Sequence, residues 1–290
     1  MHIRFSHKLA LATLLAAAPS FQAQTANHPA PATPDNDTML ARAGALYYSA
    51  VRPEAAHGRL EHFQCSVQPE WPTLLAAIDK ATGHGSGAPT PNDPRLALLT
   101  PITITENVDV DGHSTLEWNQ PAVTAQSADA AASEMLDHAH QTVEHALEGF
   151  FQFWTPFMNG TIIPATSNGI EITHTDAGYV VHAELSDQKL NEVFSNDWRL
   201  KEFNVSMSGV AIRFMPTFDS TSEGLLVKAF DARIQLPGAT SAPERQMQVA
   251  LDYQTVQGFE LPSHLALDVS GIGRASFVFS GCTVQAASKQ

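Results

Sequence analysis

Hydrophobic and polar residues alternate through most of the chain after residue 160, and this period of two constrains the fold more than any other feature. Residues 168–187 have the pattern of a hairpin, and residues 198–214, 223–236 and 275–284 that of further strands. Such alternation is typical of antiparallel strands with one buried face. The second half of the chain is therefore predicted to be mainly antiparallel sheet.

The strongest hairpin signal is in residues 247–269, where two apolar runs meet at Gln257-Gly258. A two-residue loop would put Leu251 opposite His264 and mix apolar with polar positions on one face. We therefore predict a three-residue loop that begins at Val256 and has Gly258 in the left-handed conformation. Apolar residues are then paired: Tyr253 with Leu261, Val249 with Leu265 and Met247 with Leu267.

Pro262 lies inside the second of these runs. A proline has no N–H to donate to a ladder, so it is tolerated at an edge or a bulge of a sheet. The hairpin is therefore predicted to be curved and to lie at the margin of its sheet.

Helical periodicity is clearest over residues 130–158, where an apolar stripe includes Leu136, Val143 and Leu147. Shorter helices are predicted from Thr38 to about Val51 and within residues 69–82. Residues 58–67 and 101–119 have the pattern of strands, and residues 83–94 that of a loop. The predicted fold class is α+β: a curved antiparallel sheet, or incomplete β-barrel, covered by two or three helices.

The first 25 residues have the composition of a secretory signal peptide. Arg4 and Lys8 precede an apolar run, residues 9–18, that is too short to span a bilayer. Residues 26–38 are predicted to be a linker, and residues 39–287 a single domain. No later stretch approaches the ~20 apolar residues of a membrane helix. The sequence therefore predicts an exported, periplasmic or secreted protein that does not span a membrane.

The chain contains two cysteines, Cys65 and Cys282. Oxidation is the default in an exported protein, so a disulfide between them is predicted, with two buried free thiols as the alternative. The formal net charge of −14 makes nucleic acid and anionic lipid surfaces unfavourable partners.

Motifs for catalysis, nucleotide binding and cofactor binding are absent from the sequence, so no enzyme activity and no cofactor are predicted. His138 and His145 fall on the helix face opposite the apolar stripe, and His140 with Glu144 has only a weak ligand spacing. We interpret the face that carries His138 and His145, together with Glu134, Gln141 and Glu148, as solvated, and no metal site is predicted.

The end of the long helix, residues 150–157 (FFQFWTPF), carries more aromatic surface than one core stripe requires. Ordinary core packing is one explanation. The other is a lid whose aromatic side chains close an apolar cavity, since ligand sites are mostly apolar.

The hairpin contains Y-x-x-V-x-G-x-x-L-P, formed by Tyr253, Val256, Gly258, Leu261 and Pro262. This pattern resembles that of the LolA-like outer-membrane lipoprotein-sorting proteins, and residues 40–67 are similar to the opening helix and strand of that family. The resemblance covers residues 210–270 and this opening. The chain differs in its larger size, in the extra segment 71–119, in its candidate disulfide and in lacking a motif for transfer to a membrane acceptor.

The resemblance implies a periplasmic carrier that holds an acyl chain, lipid or lipoprotein in the apolar cavity of a half-barrel. The candidate lining residues combine the aromatic helix end with the apolar side of the hairpin: Phe150, Phe153, Trp154, Phe157, Val249, Leu251, Tyr253, Leu261 and Leu265. The alternative is a secreted cell-envelope protein with a fully packed core, whose partner is another envelope protein.

Overall fold

The computed structural model describes residues 34–52, 57–83, 88–120, 130–185, 188–207, 210–235 and 244–287. The predicted signal peptide and most of the predicted linker lie outside these residues. The described helices are α1 (Pro34–Gly44), α2 (Trp71–Thr82), α3 (Pro94–Leu99) and α4 (Ala130–Met158).

Twelve strands account for most of the remaining described residues. They are β1 (Arg59–Pro69), β2 (Thr103–Asp109), β3 (Ser114–Asn119), β4 (Ile170–Thr175), β5 (Gly178–Leu185), β6 (Gln188–Phe194), β7 (Leu200–Met207), β8 (Val210–Thr221), β9 (Gly224–Gln235), β10 (Arg245–Val256), β11 (Phe259–Val269) and β12 (Gly273–Ala287).

The strands are hydrogen-bonded in the order β3-β2-β1-β12-β11-β10-β9-β8-β7-β6-β5-β4. Every described ladder between these strands is antiparallel. The order begins at β3 and ends at β4, so the sheet is not closed. The predicted α+β class with a large antiparallel sheet is confirmed.

The described residues fall into two compact units. The first unit comprises residues 50–156 and 251–287, and the second comprises residues 34–49 and 157–250. Strands β1–β3, β11 and β12 belong to the first unit with α2, α3 and most of α4. Strands β4–β9 belong to the second unit with α1.

In the first unit, α4 has the bounds that its periodicity predicts. Its apolar stripe is buried, including Leu136, Val143, Leu147 and Phe150, while Glu134 and His145 are exposed. The helix therefore presents one apolar face to the core. The short helix α3 was not predicted; Asp93 caps it by accepting a hydrogen bond from the backbone N–H of Arg95.

In the second unit, the prediction of a helix from Thr38 to Val51 is wrong, because α1 ends at Gly44. After a turn at residues 45–46, Tyr47 instead forms a parallel bridge to β9: the Leu225 N–H donates to the Leu46 carbonyl and the Tyr48 N–H to the Leu225 carbonyl. Gly224 permits this approach, because a Cβ there would lie 2.7 Å from the Tyr47 backbone.

Residues 198–214 were predicted to form one strand, and this prediction is also wrong. They divide between β7 and β8, which form an antiparallel ladder on either side of residues 208–209. Strand β6 was missed because its pattern is interrupted by polar residues. The predicted hairpin within residues 168–187 is confirmed as β4 and β5, with His174 opposite Tyr179 and Glu171 opposite His182.

The loop between β10 and β11 has two residues, so the predicted three-residue loop is wrong. Both Gln257 and Gly258 have positive φ, 53° and 93°. This conformation is a type I′ turn, whose twist matches that of the flanking strands.

Strand β11 lies between β10 and β12, so the hairpin is not at the margin of the sheet as predicted. The ladder between β11 and β12 extends over His264–Val269. Pro262 precedes this ladder, and its missing N–H therefore removes none of the ladder's hydrogen bonds.

Candidate binding site and buried acids

An aromatic cluster lies where α4 packs on the sheet of the first unit. We define it as Phe63 of β1, Phe150, Phe151 and Trp154 of α4, and Phe279 of β12. All five side chains are buried. Their contacting rings have centroid distances of 5.0 to 6.1 Å, mostly in edge-to-face arrangements. Such pairs add to the stabilisation that burial alone provides.

One polar contact crosses this apolar region. Trp154 Nε1 donates a hydrogen bond to the hydroxyl of Tyr253, at 3.0 Å. Trp154 is 2% exposed, whereas Tyr253 on β10 is half-buried. The bond therefore joins the aromatic end of α4 to the β10 segment that leads into the hairpin turn.

The predicted lining residues are buried, except the half-buried Tyr253. Seven belong to the first unit, where Phe150 and Trp154 are in ring contact and Trp154 is hydrogen-bonded to Tyr253. Phe157 and Val249 belong to the second unit, where Phe157 contacts Phe218 of β8 at a centroid distance of 6.2 Å.

The predicted disulfide between Cys65 and Cys282 is confirmed, with the two Cα atoms 4.1 Å apart. It joins β1 to β12 at an irregularity in their ladder, between the pairs Gln64–Thr283 and Ser66–Ser280. Gly281 adopts a φ of 58° at this bulge. The extra residue in β12 aligns Cys282 with Cys65.

The Gln254 side chain links the end of β10 to β11 and β12. Its Nε2 lies 3.0 Å from the carbonyl oxygen of Pro262, 3.1 Å from that of Phe279 and 3.4 Å from Cys282 Sγ. This side chain therefore connects the hairpin to the disulfide.

The first unit buries a carboxyl group that sequence reasoning missed. Glu106 of β2 is 1% exposed, and neither of its carboxylate oxygens has a hydrogen-bond partner among the described residues. Burial raises the pKa of this carboxyl to about 8, and the charges of Glu144 and Glu148 on α4 add to the rise. The nearby Ser114 hydroxyl offsets part of the rise, although it does not meet the geometry of a hydrogen bond to either oxygen. The carboxyl is therefore mostly neutral at pH 7.

The position of Glu106 was visible in the alternation of β2. It occupies the buried register of that strand, between Ile104 and Val108. An acidic residue at a position where the pattern demands an apolar one is the signal that identifies it.

A second buried acid lies in the second unit. Glu192 of β6 occupies the buried register between Leu190 and Phe194, and its Oε2 has no hydrogen-bond partner among the described residues. Burial raises the pKa of Glu192 well above its ordinary value. Because β6 was not predicted, Glu192 was missed with it.

The histidines of α4 are not gathered into one site. His145 is exposed, while His140 stacks on Trp118 at a centroid distance of 4.8 Å. Within the described ranges, no three or more His, Cys, Asp or Glu side chains form a group that would hold a metal ion. None of the described helices is long and apolar enough to cross a bilayer.

No protein-family model, curated protein or solved structure matches the chain.

Proposed function

We propose that the protein is a periplasmic carrier that holds an acyl chain, lipid or lipoprotein against the apolar side of its sheet, as in the LolA-like family. The buried aromatic cluster between the end of α4 and the sheet is the best-supported site. It combines a large apolar surface with few polar groups, which is the usual composition of a ligand site. The proposal uses the seven candidate residues of the first unit: Phe150, Phe153, Trp154, Leu251, Tyr253, Leu261 and Leu265.

The observation that carries this proposal is the hydrogen bond between Trp154 and Tyr253. An acyl chain entering beneath the helix end separates the rings of the cluster and breaks this bond. Each methylene that the chain buries contributes about 0.8 kcal/mol, so eight buried carbons supply roughly 6 kcal/mol. That gain exceeds the cost of leaving the buried indole N–H unpaired, about 1–3 kcal/mol, and offsets several kcal/mol of the cost of association.

The proposed compartment follows from two features. The disulfide is typical of proteins that fold outside the reducing cytosol. The predicted leader, residues 1–25, supplies the export signal. An acidic protein there binds its ligand through apolar contacts and not through attraction to phosphate groups.

The ring packing favours a second candidate function. The aromatic rings at the end of α4 are buried and in contact with one another, as in a packed core. In this case the protein is an envelope component that acts through contact with another protein and holds no ligand.

Calorimetric titration with palmitate distinguishes the two functions. We expect binding by the wild-type protein and weaker binding by Phe150→Ala, which removes apolar surface from the site. Val278→Ala is the matched control, because Val278 is an exposed apolar residue on β12. It should bind palmitate as the wild type does.

Tyr253→Phe provides a second arm of this experiment. It removes the bond that ligand entry must break, so it should tighten palmitate binding several-fold. Mass spectrometry of an apolar extract of the purified protein should find a bound lipid. Absence of both palmitate binding and an extracted lipid would reject the carrier function.

A further inference from the structure

The two cysteines of the disulfide differ in their exposure to solvent. Cys65 is 1% exposed, whereas Cys282 is half-buried on β12. A thiolate exchanges with a disulfide by attacking one sulfur and displacing the other. An external thiolate therefore reaches Cys282 first, and Cys65 is the sulfur that leaves.

The buried residue Glu106 is paired with Cys65, whose sulfur is the leaving group. Glu106 and Cys65 are directly opposite each other in the antiparallel ladder of β1 and β2. Side chains of directly opposed residues share one face, with Cβ atoms about 4.5–5.5 Å apart. Both residues are buried, and both oxygens of Glu106 lack a partner among the described residues.

We propose that the Cys65–Cys282 disulfide is a thiol–disulfide exchange site that accepts an external thiolate at Cys282, with Glu106 as the proton donor to the departing sulfur of Cys65. The incoming thiolate forms a bond to Cys282 Sγ, and the Cys65–Cys282 bond breaks with its electron pair on Cys65 Sγ. Glu106 transfers its proton to that sulfur. The products are a mixed disulfide at Cys282, a Cys65 thiol and a Glu106 carboxylate.

The surroundings of Glu106 suit this role. A buried thiolate in apolar surroundings is costly, so the departing sulfur needs a proton. Glu106 is mostly protonated at pH 7, because burial and the neighbouring Glu144 and Glu148 raise its pKa to about 8 while the Ser114 hydroxyl lowers it only in part. The pKa of Glu106 lies close to that of a free thiol, about 8.5, and burial of Cys65 makes its thiolate the stronger base, so transfer of the proton to the departing sulfur is favourable.

The reverse step uses the same groups. The Glu106 carboxylate takes the proton of the Cys65 thiol, and the resulting thiolate attacks Cys282 Sγ in the mixed disulfide. The external thiolate is then released and the disulfide is restored. This site is independent of the carrier function, since it needs no apolar ligand.

The test is the rate at which dithiothreitol reduces the folded protein, divided by the concentration of the dithiothreitol thiolate. We expect Glu106→Gln to lower this rate about tenfold or more, because an amide donates no proton. The wild-type rate should fall as pH rises through about 8, where Glu106 loses its proton. Glu106→Gln should show no such fall.

Glu144→Gln is the control that keeps the proton donor. Removing this negative charge lowers the pKa of Glu106, so the fall in rate should move to lower pH. Equal rates and equal pH profiles for the wild type and Glu106→Gln would overturn the proposal.

Trapping with oxidised and reduced glutathione tests the direction of attack in the wild-type protein. Peptide mapping should find glutathione on Cys282 and a free thiol at Cys65. An adduct on Cys65 would overturn the proposal. If Glu106→Gln does not fold, this mapping and the wild-type pH profile decide the outcome.

Discussion

Trp154 of α4 and Tyr253 of β10, 99 positions apart in sequence, are joined by a hydrogen bond of 3.0 Å from the indole nitrogen to the phenol hydroxyl. Tyr253→Phe would leave the buried indole N–H without its acceptor and should lower the free energy of unfolding by about 1–3 kcal/mol. Urea denaturation measures the change. A double-mutant cycle with Trp154→Phe should give a coupling energy of about 1 kcal/mol, and zero coupling would contradict the contact.

The disulfide should be a large contributor to stability. It closes a loop with a sequence separation of 217, for which the chain-entropy model gives about 5 kcal/mol. The double variant Cys65→Ala/Cys282→Ala should therefore unfold at a much lower urea concentration than the wild type. Non-reducing peptide mapping of protein made in an oxidising compartment should recover Cys65 and Cys282 in one linked peptide. Recovery of both thiols in alkylated form would contradict the bond.

Because the folded protein buries two acidic residues, its free energy of unfolding should depend on pH. The pKa of Glu106 rises from an ordinary 4.5 to about 8 on folding, so the folded state binds more protons between these values. The free energy of unfolding should therefore fall as pH rises from about 4.5 to 8, by a few kcal/mol, and then level off. Glu192 acts in the same direction.

Glu106→Gln should remove the Glu106 share of this fall and make the protein more stable than the wild type at pH 8. The exposed Glu117 of β3 offers the matched control, because Glu117→Gln should leave the pH dependence unchanged. Melting temperatures measured from pH 5 to pH 9 give the comparison. A wild-type melting temperature that rises over this range would refute the assignment.

The hydroxyl of Tyr47 bridges two backbone groups within the second unit. It donates to the carbonyl oxygen of Trp198 at 2.8 Å and accepts from the backbone N–H of Leu200 at 2.7 Å. Tyr47→Phe leaves both backbone groups without this partner and should cost about 1–3 kcal/mol. In the control Tyr179→Phe, the ring stack on Trp198 at 4.2 Å is kept, so the loss should be much smaller. Equal losses in the two variants would show that the hydroxyl of Tyr47 contributes little.

The sequence predicted correctly those helices and strands whose hydrophobic residues recur with a single clear period. The bounds of α4 and the hairpin of β4 with β5 follow from runs with a single period and clear turn residues. The extended segment at Tyr47 was missed because the pairing with Leu225 of β9 determines its conformation, and that contact is remote in sequence. Tertiary contacts override local propensity at such positions.

The loop between β10 and β11 was predicted wrongly for a different reason. Pairing by hydrophobicity favoured a three-residue loop, yet Gln257 and Gly258 both adopt positive φ and form a two-residue turn. The twist preference of the turn prevailed over simple matching of apolar positions. Glu106 and Glu192 belong to no motif, and only their positions on the buried side of a strand identify them. For Glu192 that signal was lost because β6 was not predicted.

The proposed carrier function is tested most directly by a titration that reads the Trp154 site alone. In the variant Trp71→Phe/Trp118→Phe/Trp198→Phe, Trp154 is the sole tryptophan, since the chain has four. Addition of palmitate should shift its emission in a saturable manner and raise the melting temperature, as a ligand that binds only the folded state must. Saturating palmitate or lipopeptide that changes neither the emission nor the melting temperature would contradict the carrier function and leave protein contact as the role of the chain.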